Sequence, residues 1–146
     1  MKSVKTLALL LPLTLIAWPL TTKASAPAET VQDSNEKLVG YMREIYSSLR
    51  GLSKSMKGDM KGAIDDVCKL QRTVMNAKDQ VPVTLAAMEG DERSKGNYEY
   101  RVLMHELLRG LFDVEAALAA GDAEKATQAL RAVNKLKNKG HGKFKN

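Results

Sequence analysis

Side chains that bind metals or act as nucleophiles are scarce in this chain. Its 146 residues include one cysteine, Cys68, two histidines, His105 and His141, and seven methionines, among them Met42. So few thiol and imidazole groups exclude a disulfide framework and a closed zinc site. A Cys-x-x-Cys-His sequence and a Glu-x-x-His pair are also missing, which excludes a covalently attached c-type haem and a ferritin-like di-iron site. No catalytic constellation is supported, because Glu106, next to His105, points to a different face of a helix.

Four stretches of the chain carry apolar residues at helical spacing. Residues 33–36, Asp-Ser-Asn-Glu, match a capping box and predict the start of helix one. Residues 58–59 and 121–122, both Gly-Asp, predict a helix end followed by a new N-cap. The four apolar stripes are Leu38, Met42, Ile45, Leu49 and Leu52; Ile64, Val67, Cys68, Gln71, Val74 and Met75; Leu103, Leu107, Leu111, Val114 and Leu118; and Ala126, Leu130 and Val133.

Short connections between four amphipathic helices predict an all-α fold, an up-down-up-down antiparallel four-helix bundle. Helix two is expected to end near Pro82. Residues 82–97, which contain Pro82, Gly90 and Gly96 among charged residues, are expected to form a loop. Helix three is then predicted over about residues 97–120. Cys68 is expected to pack as a small hydrophobe on helix two, and an intermolecular disulfide is the alternative.

Met42 and His141 are expected at the same end of this bundle. Met42 lies roughly two turns inside helix one, about 12 Å from its start at 1.5 Å per residue. If helix four continues that far, His141 lies about three turns beyond Leu130 and on the same face. A thioether and an imidazole facing each other suit the two axial positions of a haem iron. The pattern alone leaves two plainer interpretations open, a methionine that fills the core and a histidine exposed to solvent.

Three stretches of the chain resemble the cytochrome b562 family of soluble periplasmic haem proteins. The pattern Leu38-x-x-x-Met42-x-x-Ile45-x-x-x-Leu49 is similar to the first helix of that family. Residues 61–64 resemble the start of its second helix, and residues 141–145, His-Gly-Lys-Phe-Lys, resemble its terminal His-x-Lys-aromatic-basic motif. The resemblance covers about residues 34–146.

The resemblance implies an electron carrier rather than an enzyme, with one noncovalent haem (heme b) in a four-helix-bundle domain over residues 27–146. In that interpretation Met42 and His141 are the cofactor-binding residues and the axial iron ligands. Helix three has few aromatic residues where the family places phenylalanines, so Leu103, Met104 and Leu107 would pack against the porphyrin. His105 is expected to be partly buried without chemistry, and a substitute haem ligand is the alternative.

Helix four departs from the family pattern near its end. Relatives carry arginines a turn before and a turn after the histidine, where this chain has Lys137 and Lys145. A lysine offers charge to a haem propionate but not a bidentate fork. Gly140 and Gly142 flank His141 and are poor helix formers, which predicts a frayed turn when haem is absent.

Residues 1–26 predict a cleavable secretory signal peptide. Lys2 and Lys5 precede an apolar run over residues 7–20, and residues 24–26, Ala-Ser-Ala, match a signal-peptidase site. Cleavage would remove three lysines and no acidic residue, which lowers the formal charge from +6 to +3. A weakly basic chain lacks the dense basic stripe that binding to nucleic acid requires.

We therefore predict a periplasmic monomer with an unidentified redox partner, no nucleic-acid partner and no stable membrane anchor. Two other functions stay open from the sequence. One is a haem-free helical bundle that acts as a periplasmic interaction or stress protein. The other is haem storage or delivery with the same ligands.

Overall fold

The computed structural model describes residues 31–144, and this part of the chain forms helices and turns without a strand. The predicted signal peptide and Lys145 lie outside the described residues. The all-α fold is confirmed, with four long helices and one short helix. They are α1 (Val31–Ser55), α2 (Met60–Ala77), α3 (Val83–Ala86), α4 (Gly90–Ala119) and α5 (Ala123–Phe144).

Both predicted Gly-Asp breaks are confirmed. Asp59 has extended backbone at the N-cap of α2, and its carboxylate accepts a hydrogen bond from the backbone N–H of Gly62 at 2.9 Å. Gly121 ends α4 with a positive φ of 71°, which glycine adopts without a Cβ clash. The carboxylate of Asp122 then accepts the backbone N–H of Lys125 at 2.9 Å, which lowers the pKa of Asp122.

The predicted capping box is wrong. Helix α1 already includes Val31, so Asp33 lies inside its first turn rather than at its N-cap. An acid in this position still favours the helix, because the N-terminal end of a helix attracts negative charge. The hydroxyl of Ser34 is used in a tertiary contact instead, since it donates to the side chain of Gln80 at 3.2 Å and accepts the backbone N–H of Val81 at 3.3 Å.

The predicted loop over residues 82–97 is also wrong, because α3 and the first two turns of α4 lie within it. Gly90 has a φ of 58°, which makes the bend that lets α4 begin there. Asp91 and Glu92 occupy the first turn, where acids are stabilised. Gly96 is needed for packing, since a Cβ at this position would lie 2.5 Å from Cδ2 of Leu85 on α3.

The core lies between α1, α2, α4 and α5, but the four contacts between neighbouring helices are unequal. Helix α1 packs on α2, α2 on α4, and α4 on α5, whereas α1 and α5 touch each other much less. The predicted apolar stripes supply most of the buried residues. Among the side chains that are almost fully buried are Leu52, Leu70, Leu111, Val67, Val74, Val114 and Val133.

Two contacts between distant residues connect α4 with the ends of α2 and α5. The phenol of Tyr100, on α4, donates to the carbonyl of Ala77 at the end of α2 at 2.7 Å. Lys143 near the end of α5 forms an ion pair with Glu99 of α4 at 2.7 Å. Within residues 31–144, no helix has both the length and the apolarity that crossing a bilayer requires.

The N-cap of α2 provides a test of this helix boundary. We expect Asp59→Ala to lower the free energy of unfolding by about 1 kcal/mol, because the backbone N–H of Gly62 loses its acceptor. Urea unfolding followed by circular dichroism measures the change. The control is Asp113→Ala, which removes an exposed carboxylate from α4 about two turns before the helix ends. An equal loss in both variants would contradict the capping role.

Candidate functional site

A cavity of about 690 Å³ occupies the gap between α1 and α5. Its volume is within the range of roughly 300–1,000 Å³ that is typical of small-molecule sites. The base of the cavity is formed by α4, and Val83 of α3 contributes at one side. The lining residues are Asn35, Leu38, Val39, Met42, Arg43, Ile45 and Tyr46 from α1; Val83 from α3; Leu103, Met104 and Leu107 from α4; and Leu136, Lys137, Gly140, His141 and Phe144 from α5.

Met42 and His141, the two residues that the sequence singled out, both line this cavity. They approach it from different helices, Met42 from α1 and His141 from α5, and each is half-buried. The helical spacing in α1 and α5 places both on faces that turn towards the gap. The cavity therefore brings together one thioether and one imidazole, a donor set that suits iron and other soft or borderline metals.

The walls beside these two residues are mainly apolar. Leu38, Ile45, Leu103 and Leu107 are buried residues that line the cavity. Met104 also lines it, so all three residues that the sequence placed against a porphyrin face this space. Such walls lower the local dielectric constant, which strengthens electrostatic interactions within the cavity.

Two aromatic side chains line the cavity, Phe144, which belongs to the C-terminal motif quoted above, and Tyr46, which was not selected from the sequence. Phe144 is half-buried and follows His141 by three residues, which places both on neighbouring positions of one helix face. Tyr46 is 52% exposed and lies on α1, one turn after Met42. The i, i+4 spacing from Met42 is the signal that could have found Tyr46.

Two cationic side chains also line the cavity, one on each of its flanking helices. Arg43 is an exposed residue of α1 and Lys137 is a half-buried residue of α5. The Nζ atom of Lys137 lies 4.9 Å from the ring centroid of Tyr46, a cation–π contact that joins the two helices. Lys137 was expected from the sequence to be near a haem propionate, whereas Arg43 was missed because it lies just outside the apolar stripe.

The turn that carries His141 is helical in this structure. Helix α5 continues through Gly140 and Gly142 to Phe144. Lys143 forms its ion pair with Glu99, and this hydrogen bond holds the pKa of the Glu99 carboxyl below its ordinary value. Tertiary contacts at the end of α5 therefore offset the low helix propensity of its two glycines.

Gly140 has a packing role that its helix propensity does not reveal. A Cβ at this position would lie 2.7 Å from Cδ2 of Leu103, which is closer than real side chains approach. The glycine therefore lets the end of α5 lie directly on α4 at the cavity. Gly142 is different, because a Cβ there would meet no atom within 4 Å.

His105 and Cys68 lie away from the cavity lining. The expectation of partial burial for His105 is wrong, since the residue is exposed on α4 together with Phe112, which is 53% exposed. Cys68 is half-buried on α2, and its thiol lies 3.7 Å from a carboxylate oxygen of Glu115. Burial and the negative charge of Glu115 raise the pKa of Cys68, which makes the thiol a poor nucleophile.

No group of three or more His, Cys, Asp or Glu side chains converges on a metal position within residues 31–144. The candidate centre is instead the Met42–His141 pair. A family model described as cytochrome b562 matches residues 37–145 of the chain. The chain belongs to the cytochrome b562 family. This is a family of haem-binding electron carriers. Comparisons with curated proteins and with solved structures found no significant match.

The two glycines near His141 give a paired test of the close contact between α5 and α4. We expect Gly142→Ala to raise the free energy of unfolding by about 0.5–1 kcal/mol, because alanine favours a helix and meets no obstacle. Gly140→Ala should raise the free energy of unfolding by less, because the side chain of Leu103 must move to make room for the new Cβ. Urea unfolding of the haem-free protein measures both changes. Equal stabilisation by the two substitutions would contradict the close approach at Gly140.

Proposed function

We propose that this chain is a periplasmic electron carrier that binds one noncovalent haem, with Met42 and His141 as the axial iron ligands. The observation that carries the proposal is that these two side chains line one cavity from opposite sides of the α1–α5 gap. Membership of a family of haem-binding electron carriers supports the same conclusion. Bound haem supplies a ferric–ferrous couple that exchanges single electrons.

The residues around the cavity fit such a cofactor. A thioether and a neutral imidazole are established axial ligands of electron-transfer haems, and the thioether favours the ferrous state. The apolar side chains of Leu38, Leu103 and Leu107 suit the faces and edges of a porphyrin. With haem bound, these side chains would limit the access of water to the iron, which would favour electron exchange over reaction with solvent-derived ligands.

Arg43 and Lys137 fit the charged edge of the same cofactor. Haem carries two propionate groups, and a cation on each helix beside the cavity provides them with opposite charge. The guanidinium of Arg43 can bind a carboxylate through two parallel hydrogen bonds, which a lysine cannot do. We therefore propose Arg43 as a propionate partner on α1, in addition to Lys137 on α5.

The remaining parts of the proposal concern the whole protein. The four long helices would be connected up-down-up-down, since contacts join the start of α1 to the segment after α2, the end of α2 to the first half of α4, and the first half of α4 to the end of α5. The protein would be exported by a signal peptide over residues 1–26 and would act as a monomer. Its redox partner would be another periplasmic protein, and neither nucleic acid nor a membrane anchor would be involved.

Replacing either proposed ligand tests the function directly. In hemin titrations of the mature protein we expect His141→Ala and Met42→Ala each to weaken binding by more than tenfold. Mutation of residues that only hydrogen-bond to a metal ligand typically lowers metal affinity about 10–100-fold. Loss of a ligand itself should therefore cost at least as much. The low-spin absorption bands of the reduced protein should also be lost.

Two control variants replace a histidine and a methionine that lie outside the cavity. His105→Ala removes an exposed histidine, and Met75→Ala removes a methionine that is 42% exposed on α2. Both should keep the affinity and spectrum of the parent protein. An unchanged spectrum in His141→Ala would overturn the ligand assignment, and a parent protein that binds no hemin would favour a haem-free bundle.

The proposed contact between Arg43 and a haem propionate gives a separate prediction. We expect Arg43→Gln to weaken hemin binding by about two- to fivefold at low salt, the range for exposed ion pairs. Its affinity for the dimethyl ester of the same porphyrin should be unchanged, because the esters carry no charge. Arg50→Gln, which removes an exposed arginine of α1 outside the cavity, is the control. An equal effect on hemin and its ester would contradict the propionate contact.

A further inference from the structure

The short helix α3 is in contact with the last turn of α5. The hydroxyl of Thr84 donates a hydrogen bond to the backbone carbonyl of Phe144 at 3.3 Å. The last four carbonyls of a helix lack partners within the helix, so an outside donor at this position stabilises the end of α5. Phe144 follows His141 by three residues, which makes this contact part of the turn that carries the proposed ligand.

Helix α3 is itself held firmly against the bundle. Leu85 is 3% exposed and packs against Gly96 of α4, where the missing Cβ leaves room for its side chain. Val83, at the other side of Thr84, lines the cavity. The donor on Thr84 is therefore presented from a fixed position beside the cavity rather than from a long loop.

Two contacts from α4 hold the same turn of α5. The ring of Tyr100 meets the ring of Phe144 edge-on, with centroids 5.4 Å apart and planes at 82°. The phenol of Tyr100 is anchored in turn by its 2.7 Å hydrogen bond to the carbonyl of Ala77. The carboxylate of Glu99 binds Nζ of Lys143 at 2.7 Å.

The three contacts are made by the residues that lie two and three positions after His141. They hold Lys143 and Phe144, and they do so in a helix end that contains two glycines. A turn of this composition frays unless tertiary contacts hold it, because glycine gains the most conformational freedom on unfolding. The position of His141 at the cavity therefore depends on residues outside α5.

We propose that α3 is a positioning element whose Thr84, together with Glu99 and Tyr100, holds the last turn of α5 so that His141 faces the cavity before haem binds. This inference rests on the proposed function for the identity of the ligand. Thr84, Glu99 and Tyr100 are positioning residues, since they act on the haem site through α5. A histidine that is already in place requires less ordering on coordination, and the apparent affinity rises with the fraction of protein in the competent conformation.

The experiment compares Thr84→Val with the parent protein in two measurements. Valine keeps the shape of threonine and removes only the donor to Phe144. In the haem-free protein we expect amide hydrogen exchange in residues 140–144 to accelerate by about 2- to 10-fold, the usual range for one lost hydrogen bond. In the haem-loaded protein we expect hemin to dissociate faster by a similar factor and added imidazole to displace His141 at a lower concentration.

Thr127→Val is the matched control. The hydroxyl of Thr127 donates to the carbonyl of Ala123 at 2.8 Å, within the exposed first turns of the same helix. The substitution therefore removes the same chemical group from α5 far from His141, and exchange in residues 140–144 should be unchanged. Glu99→Gln is a second variant that weakens the ion pair with Lys143, and it should act in the same direction as Thr84→Val.

Each combination of results has a definite meaning. Faster exchange together with weaker haem retention and easier imidazole displacement supports the positioning role. Faster exchange with parental haem retention and imidazole response shows that the contact only stabilises the helix end, which overturns the proposal. Parental exchange in both Thr84→Val and Glu99→Gln also overturns it. A parent protein that binds no hemin disproves the proposed function and this inference together, which distinguishes that failure from the others.

Discussion

The incomplete contact between α1 and α5 is the constraint on which the rest of this structure depends. Three pairs of neighbouring helices pack closely and form a continuous apolar core, whereas the fourth pair stays apart. The gap is a cavity of about 690 Å³ with mainly apolar walls. At its edge Val39 and Tyr46 remain 50% and 52% exposed. A ligand that fills this space would cover apolar surface and stabilise the bundle by binding the folded state.

The features that make this gap a site come from different parts of the chain. Helix α1 contributes the thioether of Met42, and α5 contributes the imidazole of His141. The cation–π contact between Lys137 and Tyr46 is one of the few direct links between the two helices, and it lies beside the cavity. The end of α5 receives a hydrogen bond from α3 and forms an ion pair with α4. These contacts hold the residues just after His141, across the cavity from α1.

Much of the fold follows from local sequence rules. The predictions that were wrong concern segments whose structure depends on tertiary contacts. Apolar spacing located four long helices because a helical stripe must be buried whatever its partner is. Asp59 and Gly121 correctly predicted helix boundaries, because an N-cap and a residue with positive φ affect the backbone only within a few residues. The polar composition of residues 82–97 was misleading, since α3 and the start of α4 are ordered by contacts such as Leu85 on Gly96. The same reason explains the helical turn around His141, which contains two glycines.

The sequence by itself determined the helices and the residue types of the candidate site, because periodicity and side-chain chemistry are local properties. It also selected Met42 and His141, and their place along α1 and α5 follows from helix geometry. Only the tertiary structure decided that α1 and α5 leave a cavity between them and that Arg43 lines it. The tertiary structure also decided that Gly140 packs closely against Leu103 and that Thr84 donates a hydrogen bond to Phe144. These features join residues that are tens of positions apart, so they depend on how helices pack and not on the pattern within any one of them.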